Sequence, residues 1–167
     1  NIAKTVGVSE AALYRHFPSK AKMFEGLIEF IEDAIFSRTH RILQDFPEAD
    51  VRCEKTLTLV LTFAEKNPGM CRLLAGDALA GETDRLRHRI HQFFERLETQ
   101  LKQILREAEL REQKVTSISL TATANMLNAL VEGRIRQYVR TEFSVSPTQH
   151  WPEQWKLINQ QMLRSTG

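Results

Sequence analysis

Two cysteines, Cys53 and Cys71, are the only thiols in this 167-residue sequence, and their separation fits no metal-binding spacing. Free, partly buried thiols in a reducing compartment are expected, not a disulfide framework. Glycine is scarce, at seven residues, and never gathers into a phosphate-cradling loop. No nucleophile elbow is present either, so the sequence gives an enzyme no support. No apolar run approaches the roughly 20 residues that a membrane-spanning helix needs, and no secretory leader is visible. An excess of one charge is also missing. The 23 Lys and Arg residues against 21 Asp and Glu leave a formal net charge of +2, so only the distribution of charge can inform. One cluster invites a metal reading: Asp84, His88, His91 and Glu95 fall on one side of a helical pattern. The alternating Arg85, Arg87 and Arg89 make a solvated face the better reading, so neither metal nor cofactor is expected. His40 and His150 have no identifiable partners.

What is present is concentrated near the start. Residues Gly7-Val8-Ser9-Glu10-Ala11-Ala12-Leu13-Tyr14-Arg15-His16-Phe17-Pro18-Ser19-Lys20 read as the turn and recognition helix of a helix-turn-helix. Gly7 supplies the open backbone of the turn, and Ser9 stands where an N-cap belongs. Leu13 and Phe17, four apart, face inward. Pro18 ends that helix and Ser19 caps the next. Ser9, Ala11, Ala12 and Arg15 are the groups expected near base edges, Arg15 being able to take guanine bidentately. Tyr14, His16 and Lys20 suit phosphates, the last at a helix start; Tyr14 could equally pack between the recognition helix and the next one. Residues 1–22 carry Lys4, Arg15, Lys20 and Lys22 against Glu10 alone, a net of +3. Glu25, Glu29, Glu32 and Asp33 follow with no neighbouring cation. A basic tip on an acidic shaft would orient the molecule on double-stranded DNA.

The pattern G-V-S-x-x-x-L-Y-x-H-F-x-S-K resembles that of the TetR family of dimeric transcriptional regulators. The longer run VGVSEAALYRHFPSK, followed by FEGLIEFIED, is similar to the nucleoid occlusion branch of that family. Glu65-Lys66-Asn67-Pro68-Gly69, Asp84-Arg85-Leu86, Phe94-Glu95-Arg96, Leu105-Arg106-Glu107 and Glu142-Phe143 agree with it. The resemblance covers essentially the whole chain. It implies an all-α, TetR-like fold: a truncated helix-turn-helix over residues 1–18 and a helical core, partner-binding and dimerisation domain over 19–167. Asn1 to Thr5 read as the tail of a helix already under way, so the first helix of the DNA-binding unit is expected to precede them. The resemblance further implies a cytoplasmic, nucleoid-associated homodimer on palindromic DNA, with higher-order assembly on DNA left open. Such a protein would inhibit assembly of the FtsZ ring over the nucleoid. The alternative within the family is a repressor that opens on binding a small molecule, with Phe63, Met70, Phe93, Phe94 and Met126 as pocket candidates or plain core.

Periodicity gives the elements. Phe24, Leu27, Ile28, Ile31 and Ile35 recur at three- and four-residue steps, so the helix opening at Ser19 runs toward Leu43 and breaks at Phe46-Pro47. Thr56-Leu57-Thr58-Leu59 alternates like a strand, but Thr62-Phe63-Ala64-Glu65 does not continue it, and a buried helix is expected over 51–66. Pro68 suits the first position of a short helix to Leu74. Leu86, Ile90, Phe93, Leu97, Leu101, Ile104 and Ala108 mark one face of the longest helix. Leu120, Ala124, Leu127, Val131 and Ile135 mark another, ended near Phe143. A last helix begins around Pro152 and carries Trp155, Ile158 and Met162 inward. Gly133 in mid-helix costs about 1 kcal/mol relative to Ala, so something needs the missing side chain. A partner subunit's helix would, beside Ala122, Met126 and Ala129, and so would a second helix of the same subunit. Phe30 falls off its helix's apolar stripe, which suits either a partner's anchor point or contact with the adjacent helix. Carried over by position, the resemblance places Phe30 with Leu59, Thr62, Lys66 and Asn67 in a groove for the C-terminal tail of FtsZ. Thr62 replaces the family's Gly and Lys66 its Arg, which keeps the charge but loses the bidentate fork.

Overall fold

Ser19 stands in extended conformation and its hydroxyl accepts the Lys22 amide at 3.1 Å, so helix α1 (Lys20–Asp45) begins on the cap that the sequence shows. The computed structural model describes residues 19–79 and 84–167; the recognition stretch from Gly7 to Pro18 lies outside them. Phe24, Leu27, Ile28, Ile31 and Ile35 are all buried along α1. The helix stops where Phe46 turns extended, and buried Arg52 then gathers the exposed chain end. Its guanidinium donates to the carbonyls of Leu43 (2.7 Å) and Phe46 (2.5 Å) and pairs with Glu107 at 2.9 Å. These are helix C-terminal carbonyls that otherwise lack an intrahelical partner.

Helix α2 (Ala49–Lys66) returns antiparallel to α1. Its Thr56–Leu59 segment is helical, with Thr56 and Leu57 fully buried, so tertiary packing overrides the strand-like alternation. The first turn takes its cap from far away: the Glu112 carboxylate accepts the Ala49 amide at 2.9 Å. Pro68 opens the short α3 (Pro68–Leu74), a 3₁₀ turn follows at Asp77–Leu79, and α4 spans Asp84–Glu112. At 29 residues, α4 is about 43 Å long. Leu86, Ile90, Phe93, Leu97, Leu101, Ile104 and Ala108 all face the core.

Helices α1 and α4 run parallel. Successive residues of one meet successive residues of the other: Glu25 with Arg85 (2.8 Å), Glu32 with Arg89 (2.6 Å), Phe36 with Phe93 and Arg96, and Thr39 with Gln100 (3.1 Å). The expected acidic shaft without cations is thereby corrected. Two of its four carboxylates are matched by arginines about 60 residues downstream, a pairing that inspection of α1 alone does not reveal.

Gln113, in left-handed conformation, closes α4. A short strand β1 (Lys114–Thr116) follows and pairs antiparallel with β2 (Leu163–Ser165), Val115 opposite Arg164. This ribbon was not anticipated; three residues are too few to show a period of two. Ser119 caps α5 (Leu120–Arg140) by accepting the Ala122 amide at 3.1 Å. Helix α5 lies antiparallel on α4, where the Asn128 side chain donates to the Phe94 carbonyl at 3.2 Å. Helix α6 (Trp151–Met162) buries Trp151, Trp155 and Met162, and Trp151 donates from its indole to Thr58 Oγ1 of α2 at 2.8 Å. The helices share one hydrophobic core, and none is long and apolar enough to cross a membrane among the described residues.

Candidate nucleic-acid and partner interfaces

Of the residues assigned to DNA, Lys20 alone is described. Ser9, Ala11, Ala12, Tyr14, Arg15 and His16 lie outside the described residues. Lys20 occupies the first position of α1, exposed, with its Nζ 5.6 Å from the centre of the Phe24 ring. A cation on the first turn faces whatever anion approaches the positive end of α1, so phosphate at this end meets both a charge and helix amides.

The second set of residues follows from the α1–α2 hairpin. Counting outward from the connection at 46–48, Phe30 is level with the last turn of α2, which carries Thr62 to Lys66. Phe30 is two residues from Glu32, about 160° around the helix from it. Since Glu32 is bonded to α4, Phe30 turns away from α4. Phe30 is 53% exposed, so about half of it is covered and half is open to solvent. Leu59 and Thr62 are half-buried, and Lys66 is exposed. Asn67 joins two helices: its backbone amide donates to the Ala64 carbonyl at 3.1 Å and its side-chain amide to that of Phe63 at 2.8 Å.

Glu65, beside these residues, carries interactions that sequence reasoning missed. Its Oε1 accepts the hydroxyls of Ser146 and Thr148, the latter at 2.9 Å, while Tyr138 donates to its backbone carbonyl at 3.0 Å. The two hydroxyl bonds hold the carboxyl below its usual pKa. The sequence signal was only a Ser-Thr pair around Pro147, indistinguishable from ordinary loop composition.

The third face lies on α5. Ala122, Met126, Ala129 and Gly133 are all exposed along one side, joined by Leu157 of α6, 67% exposed. A methyl group built onto Gly133 would meet no atom of the described residues within 4 Å. Among the described residues no second helix of the subunit approaches this glycine, so they give the reading in which such a helix requires it no support. Ala129, Gly133, Arg134, Leu157 and Ile158 help line an open groove of about 890 Å³ here.

The remaining groups offer no shared chemistry. Phe63, Met70, Phe93 and Phe94 are buried in the core, Phe93 edge-on to Phe94 at 5.1 Å, whereas Met126 is 45% exposed; the five do not surround one space. His91 approaches Glu95 at 3.7 Å and Asp84 engages Arg87. No group of three metal-capable side chains forms among the described residues. Cys53 and Cys71 are free and buried, and burial pushes both thiols up to about 12.

Comparison with known proteins places this architecture. Residues 48–163 match the tetracyclin repressor-like C-terminal domain of the SlmA-like type, and residues 1–27 match the bacterial regulatory proteins of the tetR family. The chain is 60% identical over 162 residues to the nucleoid occlusion factor SlmA of Marinomonas sp. (strain MWYL1), covering 97% of this chain and 82% of that one. It is 59% identical over 157 residues to the protein of the same name from Colwellia psychrerythraea (strain 34H), covering 94% and 79%. Among solved structures, the MbdR regulator from Azoarcus sp. CIB shares the fold with a TM-score of 0.72 at 16% identity, covering 94% of this chain and 83% of that one. The transcriptional regulator FadR from Bacillus subtilis, solved with stearoyl-CoA, does so with a TM-score of 0.66 at 13% identity, covering 93% and 83%. The helical core, the tetR-type start and the near-full-length identity agree: this chain belongs to the TetR family, in its nucleoid occlusion factor SlmA branch.

Proposed function

We propose that this chain is a DNA-bound inhibitor of cell division. Two copies joined through α5 and α6 read a palindromic chromosomal site, and the α1–α2 groove takes the C-terminal tail of FtsZ, keeping division-ring assembly off the nucleoid in the cytoplasm. The observation that carries the reading is 60% identity across 97% of the chain with a nucleoid occlusion factor. Two features of the molecule suit it. An apolar ring at Phe30 stands half in solvent beside a cationic helix end at Lys66. An open glycine at 133 sits in a row of small exposed side chains, where a second copy can approach closely. In the dimer two recognition helices lie about one helical turn of duplex apart, roughly 34 Å, with Ser9, Ala11, Ala12 and Arg15 toward bases and Tyr14, His16 and Lys20 toward phosphates.

In the groove Phe30 and Leu59 supply apolar contact, Lys66 meets a carboxylate as a point charge, and Thr62 sets the width. Nothing in this role requires catalysis, and the matches are to nucleoid occlusion factors and to bacterial regulatory proteins of the tetR family. The test is fluorescence anisotropy of a labelled FtsZ tail peptide titrated with the chain, with and without operator DNA. Saturable binding that weakens by on the order of tenfold or more in Phe30→Ala supports the reading. No binding in either condition sends the function to a ligand-responsive repressor of the same fold.

A further inference from the structure

The backbone joining α5 to α6 holds three non-glycine residues in left-handed conformation: Glu142, Phe143 and His150, with φ of 54°, 65° and 62°. Each is unfavourable for a side chain bearing a Cβ, and such a cluster persists only where its surroundings over-determine it. Here they do so from two sides. Arg134 of α5 donates to the carbonyls of Pro147 (2.7 Å) and Gln149 and to the Gln154 side chain, and lies over the Trp151 ring. On the other side Ser146 and Thr148 close on Glu65 of α2, and the Phe143 ring stands edge-on to Tyr138, whose hydroxyl holds the Glu65 carbonyl. Both the carboxylate and the backbone of Glu65 are thus gripped, next to Lys66 and Asn67. Arg134, at the other end of the set, follows Gly133 on the open face of α5.

We propose that residues 141–150 form a strap tying the α5–α6 face to the end of α2, with Glu65 as the positioning residue that sets Lys66 and Asn67 in the tail groove. The proposal rests on the groove reading above and adds its regulation. A second copy seated on α5 and α6 steadies Arg134 and the strap, and so the groove's cationic end. By linkage, tail occupancy strengthens the dimer by the same factor.

Glu65 acts through its neighbours, so its test needs a readout that mere loss of stability does not move. Both hydroxyls reach the same carboxylate oxygen, which the amide oxygen of glutamine can replace. Tail-peptide affinity is expected to fall about tenfold in Glu65→Ala, the scale of losing a charge-assisted contact, and to stay within about twofold of wild type in Glu65→Gln. Thr39→Val, at a buried site between α1 and α4, serves as the destabilised control and leaves tail affinity unchanged. Ser146→Ala with Thr148→Val should reproduce Glu65→Ala and add nothing to it. Wild-type affinity in Glu65→Ala, no rescue by glutamine, or an equal loss in Thr39→Val would each overturn the strap. If the wild-type chain fails to bind the peptide, the groove reading falls, and hydrogen exchange then judges the strap separately. Faster exchange of the Lys66 and Asn67 amides in Glu65→Ala but not in Glu65→Gln supports it; unchanged exchange overturns it.

Discussion

Arg52 shows how much one side chain can organise. It is 7% exposed, ends α1 by binding two of its carbonyls, and reaches Glu107 on α4. Arg52→Ala removes all three contacts and leaves two part-buried carbonyls without their donor, so a loss of about 2 kcal/mol is expected in urea denaturation. Glu107→Gln should lose far less, because the glutamate side chain is 37% exposed and keeps an acceptor oxygen. The cysteines make a second prediction. Both thiols are held up near 12 in the folded chain, mainly by burial, against an ordinary value near 9 when unfolded. The folded state therefore binds those protons more tightly. Their contribution is complete below pH 9 and is lost as pH rises from 9 toward 12. A thiol reagent at pH 8 is expected to label neither residue until denaturant is added; prompt labelling of either in the native chain would contradict its placement. In the groove, Lys66→Arg restores the bidentate fork and should tighten the tail peptide several-fold in the same anisotropy titration.

At the scale of elements, legibility followed how local the cause was. The stripe Phe24, Leu27, Ile28, Ile31 and Ile35 and the cap at Ser19 lie within one helix, and α1 carries both as its sequence requires. Where the cause lay elsewhere in the chain, the sequence was silent. Glu25 and Glu32 looked uncompensated because Arg85 and Arg89 sit on α4. The start of α2 takes its cap from Glu112, 63 residues downstream, where no local pattern points. The β1–β2 ribbon joins segments separated by two helices. The exposure of Phe30 was legible from its angle on α1, whereas the grip on Glu65 was not, since Ser146 and Thr148 lie about 80 residues away. Gly133 allows an element-scale test. Alanine there meets no atom of the described residues within 4 Å and improves helix propensity by about 1 kcal/mol. The isolated subunit is therefore expected to gain stability, while the larger Gly133→Leu prevents close approach of α5 to its copy. Sedimentation equilibrium should show Gly133→Leu dissociating at concentrations where the wild type is dimeric. A dimer of unchanged strength would move the contact elsewhere on the surface.

For the molecule as a whole, the two proposed activities sit at different heights along one helix, one at its start and one near its middle. Lys20 opens α1 and Phe30 lies ten residues on, about 15 Å along the axis and beyond the roughly 10 Å over which exposed charges interact at 0.1 M salt. Pairing of Glu25, which lies between the two sites, with Arg85 of α4 further mutes the field between them. Operator affinity should fall linearly in log–log plots against salt, as phosphate contacts release counterions. Lys20→Gln removes one contact per subunit, so the slope of a dimer is expected to drop by about two while binding of the tail peptide is unchanged. Phe30→Ala should behave in the opposite way, keeping the salt slope and losing the peptide. A cell carrying Phe30→Ala would then retain the protein on its chromosome, seen by chromatin immunoprecipitation, yet divide across unsegregated nucleoids. If Phe30→Ala instead abolished operator binding, Phe30 would belong to the DNA-binding end, and the groove would need a different anchor.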